Sequence, residues 1–287
     1  MIIVTLVLNT GFYTVKAAND LPANILPSNS ISPIKFSQLS TAEGLSQSYV
    51  FSIVQDRHGF IWVATADGLN RYDGFEFVHY RHNIENPTTI ADNYIRKLFI
   101  DSNNTLWVGT RNGLSRYNEE YDNFTTFSHI EGDITSLTDN VIWDIYEGDV
   151  ADKNNALIIS TENGLHQLNQ ENHKFKRIKF KEFTSDIREI KTIFQDNNNN
   201  FWLGTFADGI YITNQQFSQL KHLKAPLDSS SKWNIHIDTD SMFDMKLIDG
   251  NYWLATSNGV YVVSENYKIV KHITVEKKAQ LPISNEV

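Results

Sequence analysis

The sequence predicts an all-β fold of repeated four-stranded units, and three observations predict it. One segment recurs five times, an Asx-Gly pair marks the same place in each copy, and the composition favours strands. The chain has 287 residues with 6 Trp, 12 Tyr and 17 Phe, no Cys, and 25 Lys+Arg against 34 Asp+Glu. Aromatic and β-branched side chains suit a pleated, half-buried surface. A net charge of -9 without a clustered basic face argues against a nucleic-acid binder or a protein held on an anionic membrane surface. Lacking cysteine, the chain has no disulfide, no thiolate metal site and no Cys nucleophile.

The copies begin at Trp62, Trp107, Ile158, Trp202 and Trp253, spaced by 45, 51, 44 and 51 residues. Four-stranded β-propeller blades have this period. Within each copy an apolar first strand, such as Tyr49 to Val54, precedes a turn rich in Asp, Asn and Gly. Asp56 to Gly59, Asp101 to Asn104 and Asp196 to Asn199 are such turns, and their side chains supply the local hydrogen bonds of a tight hairpin. Asp56, Asp101, Asp196 and Asp249 therefore read as structural. The second strand carries the Trp and, two places on, a small residue (Ala64, Gly109, Ser160, Gly204, Ala255) that leaves room for close sheet-to-sheet approach. Asp67-Gly68, Asn112-Gly113, Asn163-Gly164, Asp208-Gly209 and Asn258-Gly259 then mark the next hairpin. A short third strand and an aromatic-led fourth, starting at Phe75, Phe124, Phe175, Phe217 and Tyr267, complete each unit. The blades are expected at about 48–81, 93–130, 141–180, 187–223 and 242–273.

The two ends carry further expectations. Ile2 to Leu8 is apolar, and Val15 and Ala17 occupy the positions a signal peptidase reads, so residues 1–17 are expected to be a secretory signal and 18–33 a linker. Residues 34–39 read as a lone ring-closing strand within a partial propeller over 34–287. Leu281 to Val287 resembles the lead-in at Leu137 to Val141 and reads as the start of a sixth blade. The expectation is an incomplete propeller, part of a seven-bladed ring.

Taken together, Gly44, Leu45, Ser46, Val50, Ile53, Asp56, Gly59, Trp62, Thr65, Gly68, Leu69, Tyr72, Gly74, Phe77 and Tyr80 resemble the two-component regulator propeller repeat. Ser136 to Asn140 repeats the lead-in. The likeness covers residues 33–287. The third and fifth copies depart from it: Ile158 replaces Trp, and Asp249 stands closer to Trp253 than its counterparts do. The resemblance implies a periplasmic, non-catalytic sensor portion of a larger homodimeric membrane receptor. A transmembrane segment C-terminal to this chain would attach it to the inner membrane and lead to a histidine kinase or diguanylate cyclase. In one branch of the family the ligands are oligosaccharides.

Candidate ligand contacts are the hairpin tips, which differ between copies on a constant frame: Asp67, Arg111, Glu162, Phe206, Asp208 and Ser257. Trp233, in the long linker 225–241, is another, because function concentrates in such loops. Trp62, Trp107, Trp202 and Trp253, at one repeat position, read as packing residues, as do Gly68, Gly113, Gly164, Gly209 and Gly259 in the hairpins; Trp143 lies outside the register. No metal or other cofactor is implied, since His79, His82 and His236 lack a third ligand at metal spacing. No nucleophile–base set or phosphate loop is visible. A secreted propeller enzyme or carbohydrate-binding protein and an interaction scaffold are the alternatives to the sensor.

Overall fold

In the computed structural model, the described residues are 38–151, 153–180, 189–223 and 240–274. The signal at 1–17, the linker at 18–33, residues 34–37 of the closing strand, the segment 281–287, Trp233 and His236 all lie outside them. Five four-stranded antiparallel sheets form one compact unit within Leu39–Val287. Blade 1 is β1 (Val50–Gln55), β2 (Ile61–Thr65), β3 (Gly68–Tyr72) and β4 (Phe77–Tyr80). Blade 2 is β5 (Ile95–Ile100), β6 (Leu106–Thr110), β7 (Gly113–Asn118) and β8 (Asn123–Phe127). Blade 3 is β9 (Ile142–Val150), β10 (Lys153–Thr161), β11 (Gly164–Asn169) and β12 (Lys174–Ile178). Blade 4 is β13 (Ile190–Gln195), β14 (Phe201–Thr205), β15 (Ile210–Thr213) and β16 (Leu220–Leu223). Blade 5 is β17 (Met242–Ile248), β18 (Asn251–Thr256), β19 (Gly259–Ser264) and β20 (Ile269–Ile273).

Each sheet is a simple meander, and the first strands of successive blades touch: β1 with β5, β5 with β9, β9 with β13, β13 with β17. This is the β-propeller arrangement, in which first strands line the central channel. The aromatic residues at 75, 217 and 267 fall in the turn before the fourth strand rather than in it. Phe217 and Tyr267 take positive φ there, and each packs against the blade core, Phe217 on Phe201 and Tyr267 on Trp202.

Two local devices repeat. In the first turn, Asp101 Oδ1 accepts the amides of Asn103 (3.0 Å) and Thr105 (2.8 Å), while Oδ2 accepts Trp107 Nε1–H at 2.9 Å. Asp56 and Asp196 hold Trp62 and Trp202 in the same way, at 2.7 and 2.9 Å. One carboxylate thus closes the turn and fixes the indole of the strand that follows. Blade 3 has Ile158 at the Trp position and carries nine-residue strands β9 and β10. In the second hairpin the Thr hydroxyl donates across the turn, from Thr65 to Gly68 O and from Thr110 to Gly113 O, each at 2.8 Å, and likewise at Thr161, Thr205 and Thr256. Gly113 sits at φ 131°, and a Cβ there would stand 2.8 Å from Phe127 O, so only glycine closes this turn without strain.

Blades pack through the residues the repeat keeps small. A Cβ on Gly109 would lie 2.8 Å from Ile142 Cγ2 of the next blade. The indole set faces the same way: Trp62 meets Tyr117 of blade 2, and Trp202 meets Tyr252 and Tyr267 of blade 5. Trp62, Trp107 and Trp202 are at most 2% exposed, whereas Trp253, in the last blade, is only half-buried. Blade 1 shows the converse. Leu98, Ile145, Ile193 and Met245 are buried, but their counterpart Ile53 is 37% exposed.

Candidate ligand-binding site

The first strand of every blade breaks register at one place. Val50 faces Thr65 but Ser52 faces Ala64, so Phe51 is left over. The same extra residue is Arg96 in blade 2, Trp143 in blade 3, Lys191 in blade 4 and Phe243 in blade 5. These are β-bulges, which turn a side chain out of the ladder and favour functional rims. Each bulge lies beside the Asx-Gly hairpin. The tip amides of Ala66, Arg111, Glu162, Phe206 and Ser257 donate to the carbonyls of Tyr49, Tyr94, Val141, Glu189 and Ser241.

Bulge and tip residues from adjacent blades converge. Trp143 lies between two cations: the Arg96 guanidinium is 3.6 Å and Lys191 Nζ 2.7 Å from its ring centre. Its indole N–H donates to Glu162 Oε2 at 2.8 Å. Tyr94 stands under both Arg96 (5.5 Å) and Arg111 (5.7 Å) and continues to Phe51 at 4.9 Å. On the other side Lys191 reaches Phe206, 5.0 Å from its ring centre, and Glu189 at 3.7 Å. Arg96 Nε is buried with no acceptor. Burial pushes the Lys191 ammonium down to about 8, against the pull of Glu189 and Glu162, with Arg96 adding to the depression. Burial lowers Arg96 as well, although a guanidinium stays charged at any working pH.

Below this rim, Lys97 and Asp144 form an ion pair at 2.6 Å, with the carboxylate almost wholly buried. Asp144 also accepts the amides of Ile145 (2.9 Å) and Ile193 (2.7 Å), tying blade 3 to blade 4. Desolvation opposes the Lys97 charge, but the Asp144 carboxylate more than offsets it and holds Lys97 above its ordinary range.

Of the sequence candidates, Arg111, Glu162 and Phe206 come together in this cluster. The contacts of two others lead elsewhere: Asp67 pairs with Arg81 at 2.8 Å, and Asp208 accepts the Tyr211 hydroxyl at 2.7 Å. Ser257 sits on the tip of blade 5, its amide bonded to Ser241 O at 3.0 Å. Arg96 and Lys191 are not among the sequence candidates, and Trp143 stands there only as a residue outside the register. Their signal in the sequence is the spacing of the apolar first-strand residues, three apart (Ile95 and Leu98, Ile142 and Ile145, Ile190 and Ile193) instead of two, and a strand buries such pairs only by bulging.

A cleft lies at the other end of the blades, between the turns of blades 1 and 2. It holds about 280 Å³ and includes Arg57, His58, Arg71 and Glu119. Its cations are hydrogen-bonded: Arg57 and His58 both meet Glu119 (2.7 and 2.6 Å), Arg71 meets Tyr117 and Asp122, and Arg116, also in the lining, meets His173 and Asn118. A cleft whose cations are already hydrogen-bonded is a weaker ligand candidate than a rim where Arg96 Nε is buried without an acceptor.

The two component regulator propeller repeat matches residues 44–67 and 89–112. These stretches run from the lead-in through the Asp turn and Trp strand to the hairpin tip of blades 1 and 2. The first two blades carry the two component regulator propeller repeat. Histidine kinase P4 of Formosa agariphila is 34% identical in a match covering 71% of this chain and 18% of that protein. Among solved structures, this propeller is similar to the extracellular domain assigned to the hybrid two component system BT3049 of B. thetaiotaomicron. That likeness has a TM-score of 0.61 at 22% identity, over 84% of this chain and 36% of that one. The extracellular domain of BT4673 from the same organism gives 0.54 at 22% identity, over 84% of this chain and 35% of that one. The chain thus spans about a fifth of the curated relative and about a third of these solved domains.

Proposed function

We propose that this chain is part of the extracytoplasmic sensor of a membrane-bound two-component-type signalling protein. Its propeller binds a small ligand at the bulge rim and does no chemistry on it. The observation that carries the reading is the convergence of Arg96, Arg111, Trp143, Glu162, Lys191 and Phe206 from three neighbouring blades. These positions differ from blade to blade while the Asp–Trp and Thr–Gly devices around them repeat. A constant frame carrying variable, partly unsatisfied side chains suits recognition. The extracellular location of the BT3049 and BT4673 domains and the apolar run Ile2 to Leu8 support placement outside the cytoplasm. The receptor would be a homodimer anchored by a segment C-terminal to this chain, with the uncovered flanks at Ile53 and Trp253 closed by further blades.

The test is a metabolite and oligosaccharide screen on the full-length protein, read by thermal shift. A hit whose shift is lost in Trp143→Ala, with the ligand recovered chemically unchanged, is expected. Turnover of the hit, or a shift indifferent to Trp143, overturns the reading.

A further inference from the structure

The rim concentrates positive charge in an acidic protein. The whole chain carries 25 Lys+Arg against 34 Asp+Glu, yet Arg96, Arg111 and Lys191 stand together, and the carboxylates that act on Arg96 and Lys191 are Glu162 and Glu189. Both carboxylates are already engaged, Glu162 by the Trp143 indole N–H at 2.8 Å and Glu189 by Lys191 at 3.7 Å. Three cations are therefore left sharing two spoken-for anions.

The cations are also poorly solvated. The Lys191 side chain is 14% exposed, and Arg96 Nε is buried without an acceptor. A buried guanidinium donor with no partner costs free energy that a ligand oxygen would recover. Ring faces hold these cations only in part: a cation over an aromatic face gains much less than one paired with an anion. Trp143, Tyr94 and Phe206 meanwhile supply flat apolar surface beside the charge, and Phe206 is 56% exposed.

We infer that the rim binds a small anion, a carboxylate, sulfate or phosphate ester carried on a flat body, with the anionic group on Arg96, Arg111 and Lys191 and the body against Trp143 and Phe206. This rests on the sensor reading above and names the ligand class of the same site. The anion would draw a cation off a face of Trp143 and free that face for stacking. Its charge would also raise the depressed Lys191 pKa toward the ordinary lysine value.

Three probes separate the contributions: inorganic sulfate, 4-nitrophenyl sulfate and 4-nitrophenol, titrated calorimetrically into the full-length protein at low and high NaCl. The expected result is binding of 4-nitrophenyl sulfate at least ten-fold tighter than inorganic sulfate, weakening with salt, and no measurable binding of 4-nitrophenol. Arg96→Gln is expected to lower the aryl sulfate affinity ten-fold or more. Trp143→Ala is expected to remove the aryl advantage while inorganic sulfate binding stays. Unchanged circular dichroism would show that both variants fold. Equal binding of 4-nitrophenol, or full affinity in Arg96→Gln, overturns the anion assignment while leaving a stacking sensor site intact. Failure of all three probes to bind overturns the anion assignment; whether the sensor reading also falls is decided by the metabolite and oligosaccharide screen above.

Discussion

Arg57 and Arg96 each lie beside the first strand of a blade, and their surroundings differ sharply. Arg57, in the turn after β1, is half-exposed. It donates to Glu119 at 2.7 Å and to His58 at 3.1 Å. Arg96, on the bulge of β5, lies over an indole with its Nε buried and unanswered. The contrast extends to the regions around them. At the turn end, Tyr80 and Tyr117 both donate to Asp122 (2.7 and 2.6 Å), burial pushes Tyr117 up to about 12, and Asp carboxylates hold the Trp indoles. At the rim end, cations crowd an aromatic ring and burial depresses them. One end is arranged for stability, and the other keeps unmet interaction capacity, as binding sites do when function is held at a cost in stability.

The largest test of this contrast is Trp107→Ala at the turn end. Trp107 is 2% exposed, and its loss is expected to cost about 3–5 kcal/mol in urea denaturation. Asp101→Ala should follow at about 3 kcal/mol, because it leaves the Trp107 N–H buried without an acceptor and also removes the turn amides' partner and that of Gln170. A loss below about 1 kcal/mol in either would show that the turn end is not the stabilising one. At the rim, Arg96→Met is expected to leave stability unchanged or raise it slightly, since it removes a poorly solvated charge. A loss as large as that of Asp101→Ala would erase the distinction between the ends.

The smallest effect is the pH dependence of Lys191. Its folded pKa lies at about 8, below the ordinary lysine value, so between about 8 and the ordinary value near 10.4 the unfolded chain binds more protons than the folded one. Stability should therefore rise with pH across that window relative to Lys191→Met, and the two should run parallel below it. Parallel curves throughout would mean that Lys191 is not depressed.

A second comparison concerns the flanks. Trp62, Trp107 and Trp202 are buried, and the first and last of these pack on the blade that follows; Trp253 remains half-buried and Ile53 is exposed on the opposite flank. Residues 1–287 alone are expected to self-associate in size-exclusion chromatography, with Trp253→Gln reducing the association. A monodisperse monomer that melts cooperatively would show that these faces need no cover.

Much of the frame was legible in the sequence because it depends on residues with one local job. An Asp three places before a Gly or Asn, a Trp six after the Asp, and a Gly needing positive φ each declare a turn. The Thr of each copy was visible but mute, because its hydroxyl acts across a hairpin that the sequence does not show. The rim was the least legible part. Strict two-residue alternation conceals a bulge, and Trp143 looked like a stray because it belongs to the bulge position, where neighbouring copies carry Arg and Lys. Asp67 and Asp208 sat on hairpin tips as expected, but Arg81 and Tyr211 draw their side chains away.

The bulges have an evolutionary consequence. A residue outside the ladder holds no partner in register, so replacing it leaves the strand pairing undisturbed. Phe51, Arg96, Trp143, Lys191 and Phe243 form a five-letter word written on an otherwise fixed page. If the rim is the sensor site proposed above, related propellers could rewrite that word for new chemical signals while inheriting their architecture unchanged, and aligning these five positions would then group such proteins by ligand rather than by descent.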